Sequence, residues 1–206
     1  MSATGRERWC QALLVLLLFI SYAYFPPRRV DWNQNGRMDL VLAIVDQGRL
    51  EIDDYVGNTG DYAHFGGHYY CDKAPGVSFL GVPFYWAFRQ VTRLPGLGTW
   101  MARLAGHLAS SPASPQEAAG LFPWRGYFAL ALYATTLGAV ALPSVLLGLL
   151  VYRGARRLGA GAGISALLTL VYGLGTTAFP YGSALYGHML AAACLFGAFY
   201  LLWGWA

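Results

Sequence analysis

The side chains able to move a proton or hold an anion are concentrated in one stretch of this sequence. Asp61, His64, His68, Asp72 and the only lysine, Lys73, fall within Asp61-Tyr62-Ala63-His64-Phe65-Gly66-Gly67-His68-Tyr69-Tyr70-Cys71-Asp72-Lys73-Ala74-Pro75-Gly76. Asp31, Asp39, Asp46, Glu51, Asp53 and Asp54 lie just upstream, and outside this window only Glu7 and Glu117 are acidic. A carboxylate can take a proton from a hydroxyl, and a lysine or arginine can bind a phosphate. A stretch holding both is where chemistry is expected. The simpler readings are an Asp72-Lys73 surface pair, worth roughly 0–1 kcal/mol, and solvated faces for Asp46, Glu51 and Asp53.

Whatever positions these groups is mostly apolar. Hydrophobic residues make up 56% of the chain and charged residues 12%, about half the ~25% of a soluble domain. The mean hydropathy is +0.42. This composition points to an integral membrane protein. The net charge of +4 is carried by scattered arginines with no basic run, so no nucleic-acid partner is expected. Cys10, Cys71 and Cys194 are odd in number and lack metal or redox spacing.

A bilayer core takes about 20 apolar residues per helix. Four segments meet or approach that length: 11–25, 126–152, 159–179 and 184–203. Arg6 and Arg8 precede the first, and Arg153, Arg156 and Arg157 follow the second. Segment 75–91 is apolar but contains Pro83 and Arg89, and its Phe79, Phe84, Tyr85, Trp86 and Phe88 suit an interfacial helix. If it lies along the interface, both arginine clusters are cytoplasmic, as the positive-inside bias favours, and the residues between the first two spans form one external loop. The first segment also has the outline of a signal peptide, but its apolar run through Tyr22, Tyr24 and Phe25 favours an uncleaved anchor.

The expected architecture is therefore an all-α integral membrane fold. It has about four transmembrane helices and a large external first loop carrying short amphipathic helices. Its divisions are an anchor over 1–25, the loop over 26–124, and three further spans over 125–206. The end at Trp203-Gly204-Trp205-Ala206, without a charged flank, suggests the start of a longer bundle. Residues 109–120 read as a short linker.

Inside the loop, Leu40, Val41, Ile44 and Val45 predict a helix over 38–47 that stops at Gly48. A brief extended piece over 50–53 follows, then turns at 57–61 and 66–67. Pro75 opens the aromatic helix. Asp31-x-Asn33-x-Asn35-Gly36 matches half of a calcium loop, but its twelfth position is Leu42, where a bidentate acid is required. No cofactor is otherwise indicated, although the carboxylates would admit a divalent metal. His188, near the outer end of the last span, is an ionisable in-membrane candidate and equally a helix-packing histidine.

This arrangement resembles the first periplasmic loop of GT-C superfamily glycosyltransferases, the group of protein O-mannosyltransferases and lipid A aminoarabinose transferases. The features that carry it are a membrane anchor, Arg37 opening a short helix, a Gly turn, and Asp72-Lys73-x-Pro75 opening an aromatic helix. Tyr152-Arg153-Gly154-Ala155-Arg156-Arg157-Leu158 and Thr177-Ala178-x-Pro180-Tyr181 extend it over nearly the whole chain. It is most similar to an uncharacterised bacterial branch marked by Asn-Gly/Ser-Arg and Gly-His-Tyr-Tyr-x-Asp-Lys-Ala-Pro-Gly.

The resemblance implies transfer of a sugar from a polyprenyl-phosphate donor on the outer side of a multi-pass cell membrane. Arg37 and Lys73 align with the family's phosphate-holding cations, and His68 and Tyr70 join them as donor-binding candidates. Where the better-known relatives carry a catalytic Asp-Glu pair, Gln34 and Asn35 stand, and an amide accepts no proton. The base would be Asp31, Asp39, Asp61 or Asp72, with Asp61 first and Asp72 second. The alternatives are a non-catalytic membrane protein that binds lipid phosphate or glycan, and a transporter component. Nearly uncharged spans speak against the transporter.

Overall fold

The computed structural model describes residues 3–25, 31–94, 96–109 and 122–203. The chain divides into two compact units: Arg29–Thr136, and Met1–Arg28 together with Leu137–Ala206. The fold is mostly helical.

The 29–136 unit holds the acidic window. Helix α2 (Trp32–Leu42) is followed by a π-helical turn, Ala43–Gln47 (α1 lies in the other unit). The helix starts six residues before the position expected from its apolar spacing, 38 against 32. The reason is a capping interaction. Asp31 is extended and its Oδ1 accepts the backbone N–H of Gln34 at 2.8 Å, so the polar Asn33-Gln34-Asn35 run is helical. That also removes the calcium-loop geometry. The predicted stop holds: Gly48 adopts φ +68° and its N–H bonds back to Ala43 and Ile44.

The all-α expectation is corrected by a hairpin. Strands β1 (Tyr62–Phe65) and β2 (His68–Cys71) pair antiparallel, Tyr62 opposite Cys71 and Phe65 opposite His68. Gly66 and Gly67 both take positive φ, +60° and +87°, the two-residue turn that closes a twisted hairpin. Glu51 adds a bridge to Tyr70, which accounts for the extended piece expected there. Tyr69 and Cys71 face inward onto Leu40, Ala43 and Ile52.

Helix α3 (Gly76–Thr92) begins after Pro75 and tolerates Pro83 on its exposed side. It buries Val77, Ser78, Gly81, Tyr85 and Phe88. A Cβ at Gly81 would come within 2.8 Å of Thr135 and 3.2 Å of Val41, so the absent side chain lets α2, α3 and α5 (Phe122–Thr136) approach closely. Helix α4 is Leu97–Ala109. Beyond Ala109, the 109–120 linker lies outside the described residues.

The other unit contains α1 (Ala3–Tyr24), a π-helical turn at Leu137–Ala141, α6 (Leu142–Arg157), α7 (Ala162–Gly175), α8 (Ala178–Gly182) and α9 (His188–Trp203). Leu18 and Tyr22 form its core with Ala141 and Val145. Cβ atoms at Gly148 and Gly173 would both meet Leu18 at 2.6 Å, the close small-residue packing typical of membrane helices. Arg156 pairs with Glu7 at 2.9 Å, and the Arg157 guanidinium lies 3.9 Å from the Tyr200 ring centroid.

One helix among the described residues is long and apolar enough to cross a membrane. It is Gly126–Arg157, 32 residues, with mean hydropathy 2.0 over its most apolar stretch. The segments expected over 159–179 and 184–203 form shorter apolar helices, Ala162–Gly175 and His188–Trp203. The first is cut where Thr176 turns extended (φ −125°, ψ −178°) and its hydroxyl bonds Tyr172 O at 2.6 Å while accepting Ala178 N–H at 3.1 Å. Side chain and backbone there satisfy the groups that a continuing helix would use.

Candidate functional site

Asp61 and Asp72 meet at Lys73. The Lys73 Nζ lies 3.1 Å from Asp61 Oδ2 and 3.0 Å from Asp72 Oδ2, and all three side chains are partly exposed. The two carboxylates come from different sides. Asp72 leaves the end of β2, and Asp61 precedes β1 across the same hairpin. Hydrogen bonds to Asp72 and then Asp61 raise the Lys73 pKa above the usual lysine value, so it is a fixed cation. The 61–72 spacing that looks remote in sequence is therefore a hairpin closing on one ammonium group.

The loop that carries Asp61 is tied to α2 by a chain of polar contacts. Asn35 Nδ2 donates to Asn58 O at 2.6 Å, and Asn58 Nδ2 donates to Asp39 Oδ1 at 2.9 Å. The Thr59 hydroxyl donates to Trp32 O at 2.8 Å and accepts the Asp61 N–H at 3.0 Å. Gly36 completes the fit, since a Cβ there would stand 3.2 Å from Asp61 O. Asp31, Trp32, Asn33 and Asp61 then line an open cleft of about 420 Å³.

The four carboxylates considered as bases now differ. Asp31 is committed to capping α2. Asp39 is fully buried; desolvation pushes its pKa up to about 8 against a smaller opposing effect of the Asn58 hydrogen bond. Its Oδ2 is buried without a hydrogen-bond partner, as suits a protonated carboxyl. Asp72 and Asp61 share Lys73, and of these two Asp61 lines the cleft. Gln34 and Asn35 are buried and hydrogen-bonded, Gln34 to Asp31 and Asn35 to Asn58.

Arg37 is 7% exposed and its Nη1 donates to Asn33 O at 3.1 Å and to Asn33 Oδ1. The Cys71 thiol, raised mainly by desolvation, is pulled the other way by a Lys73 backbone hydrogen bond and by Arg37. His68 and Tyr70 fall on the hairpin face opposite Cys71. His68 Nδ1 lies 2.7 Å from Asp53 Oδ2, which raises the His68 pKa and lowers that of Asp53. Tyr70, raised chiefly by desolvation, bonds Glu51. The hairpin thus brings Asp61, Asp72 and Lys73 together and turns His68 and Tyr70 toward other partners. His188 belongs to the other unit, its ring 4.5 Å from that of Tyr181 and 6.0 Å from that of Tyr186.

Sequence reasoning missed Trp32, Asn58 and Thr59. Gly66-Gly67 between alternating residues was the available signal for the hairpin that closes the site. Among the described residues, no three His, Cys, Asp or Glu side chains gather as metal ligands. Comparison with protein-family models, curated proteins and solved structures returns no match.

Proposed function

We propose that this chain is a polytopic membrane glycosyltransferase of GT-C type, or its N-terminal part, that takes sugar from a polyprenyl-phosphate donor outside the cytoplasm. The observation that carries the reading is the Lys73 ammonium held between Asp61 and Asp72 beside an open cleft. In the reaction, the acceptor hydroxyl gives its proton to Asp61 as its oxygen bonds the anomeric carbon. The bond from that carbon to the phosphate oxygen breaks, and the polyprenyl phosphate leaves with its new negative charge beside Lys73. Asp72 positions Lys73. Arg37, buried in α2, adds positive potential at Cys71.

Four spans are proposed: α1, the helix Gly126–Arg157, α7 with α8, and α9, with the loop 26–124 on the outer side, as the positions of the arginine clusters favour. Supporting this, α3 exposes Phe79 and Trp86, which suits a helix at headgroup depth beneath the site. The site would then meet a lipid phosphate while its tail stays in the bilayer. The non-catalytic alternative draws on one observation: amides fill the family's acidic positions. Transfer distinguishes them. Vesicles carrying the full-length protein, supplied with a polyprenyl-phosphate hexose and an acceptor extract, should release polyprenyl phosphate, and Asp61→Asn vesicles should not. Equal release by both would remove Asp61 as the base, and release by neither, with donor bound, would favour the non-catalytic reading.

A further inference from the structure

Trp32 is a large aromatic side chain 63% exposed on the 29–136 unit, at the mouth of the cleft. The ring is fixed rather than loose. A Cβ at Gly60 would lie 2.8 Å from Cε3 and 2.9 Å from both Cδ2 and Cζ3. Such nearly equal distances put Gly60 over the face of the six-membered ring and not at its edge. The Trp32 backbone is pinned at the same point, its carbonyl accepting the Thr59 hydroxyl at 2.8 Å. One ring face is therefore covered by Gly60, and the residue is otherwise largely exposed where it lines the cleft. Around it stand Asp31, Asn33 and Asp61, polar groups at the rim of an aromatic plate.

We infer that the Trp32 ring, backed by Gly60 and rimmed by Asp31, Asn33 and Asp61, is the platform on which a hexose ring of the substrate stacks. A pyranose offers an apolar face of C–H bonds and a circumference of hydroxyls. An exposed indole face answers the first, and carboxylate and amide oxygens answer the second. The cleft is shallow and open, which suits a sugar still joined to a larger molecule, and Asp61 joins the plate to the Lys73 cation. This rests on the transferase reading and adds to it the place and mode of sugar recognition. The sugar is either the donor's hexose or the acceptor's, and the same chemistry recognises both.

Three probes separate the sources: polyprenyl phosphate without sugar, polyprenyl-phosphate hexose, and methyl hexosides. Their affinities are measured with the full chain in lipid vesicles, for wild type, Trp32→Ala, Trp32→Phe and Gly60→Ala. Trp32→Ala should weaken at least one sugar-bearing probe about tenfold, near the upper end for an aromatic contact, and leave polyprenyl phosphate unchanged. A loss on the lipid-linked hexose assigns the donor, and a loss on the methyl hexoside alone assigns the acceptor. Trp32→Phe should restore most of the affinity. Gly60→Ala, which forces the ring from its seat, should reproduce the loss. If wild type and Trp32→Ala bind every sugar probe alike, the platform is wrong while the transferase reading stands. If Trp32→Ala weakens polyprenyl phosphate as much as the sugar-bearing probes, Trp32 contacts the lipid and not the sugar, and the inference fails. If wild type binds none of the three probes, the transferase reading itself is overturned, and the platform with it.

Discussion

The two units bury polar groups in opposite ways. In the unit formed by 1–28 and 137–206, buried serine and threonine hydroxyls bond within their own helices, while the Tyr22 hydroxyl reaches across to Gly173 O at 3.2 Å. Ser144 donates to Val140 O, Ser165 to Gly161 O and Thr169 to Ser165 O, each four residues back. In the unit 29–136 several bonds run across the chain: Asn35 to Asn58, Asn58 to Asp39, Ser78 to Arg37 O, and Tyr85 to Asp46. Local bonding lets a helix face lipid or another helix with nothing left over. Long-range bonding fixes loops against helices, which a site assembled from Asp61, Asp72 and Lys73 requires. Small residues bring helices together in both units, at Gly148 and Gly173 in the one and at Gly81 in the other, and the long-range hydrogen bonds of 29–136 add to this.

Asp39 gives the sharpest way to break this contrast. Its carboxyl is raised in the folded chain to about 8, above the ordinary carboxylate value, so the native state holds a proton that the unfolded state has lost. Stability therefore falls as pH rises from about 4 to 8 and stays low above that. Asp39→Asn keeps an acceptor for Asn58 and removes this penalty. The variant should gain stability at pH 9, by at most roughly 6 kcal/mol, and match wild type near pH 4. Denaturant titrations at both pH values check it. An equal difference at the two would show that Asp39 is ionised in the fold.

The small-residue packing of the other unit is tested by Gly173→Leu. A Cβ at 173 already meets Leu18 at 2.6 Å and the Tyr22 hydroxyl at 3.1 Å, so a larger side chain must part α1 from α7. About 1–3 kcal/mol should be lost, read as a lower thermal midpoint in detergent. The same substitution at Gly187, which has nothing within 4 Å of its Cβ position, is the control.

How much of this was legible beforehand follows from the same contrast. Apolar runs such as 126–152 announce helices because their signal is local. So did Gly48 as a stop and Pro75 as a start. Gly66-Gly67 signals a turn, but the strands beside it are four residues each and without clear polar–apolar alternation, so the pairing is not legible from them. The early start of α2 was hidden because Asn33, Gln34 and Asn35 favour turns until Asp31 caps them and Asn58 satisfies one of them. Asp61, Asp72 and Lys73 were picked out by type. Their meeting depends on the hairpin register, which no single residue displays. Thr176 broke the 159–179 segment through a local bond that hydropathy does not register.

A smaller effect concerns the groups that the hairpin turns away from Lys73. His68 titrates above the ordinary histidine value because Asp53 accepts from it, so the contact favours folding below the ordinary value and its contribution is lost as pH rises through the raised one. In Asp53→Asn, the His68 midpoint followed by NMR should return to the ordinary range. Transfer activity should be unchanged in His68→Gln. A large loss there would return His68 to the donor site.

The central claim is that Asp61 takes the proton while Lys73 holds the donor, and one paired measurement reaches it. Donor affinity and turnover are determined for the full-length protein in vesicles, as wild type, Asp61→Asn and Lys73→Ala, with a polyprenyl-phosphate hexose. Asp61→Asn should lose about 10²–10⁴-fold in turnover and bind donor nearly as wild type does, whereas Lys73→Ala should lose donor binding itself. Full turnover in Asp61→Asn, or unchanged donor affinity in Lys73→Ala, would contradict the account.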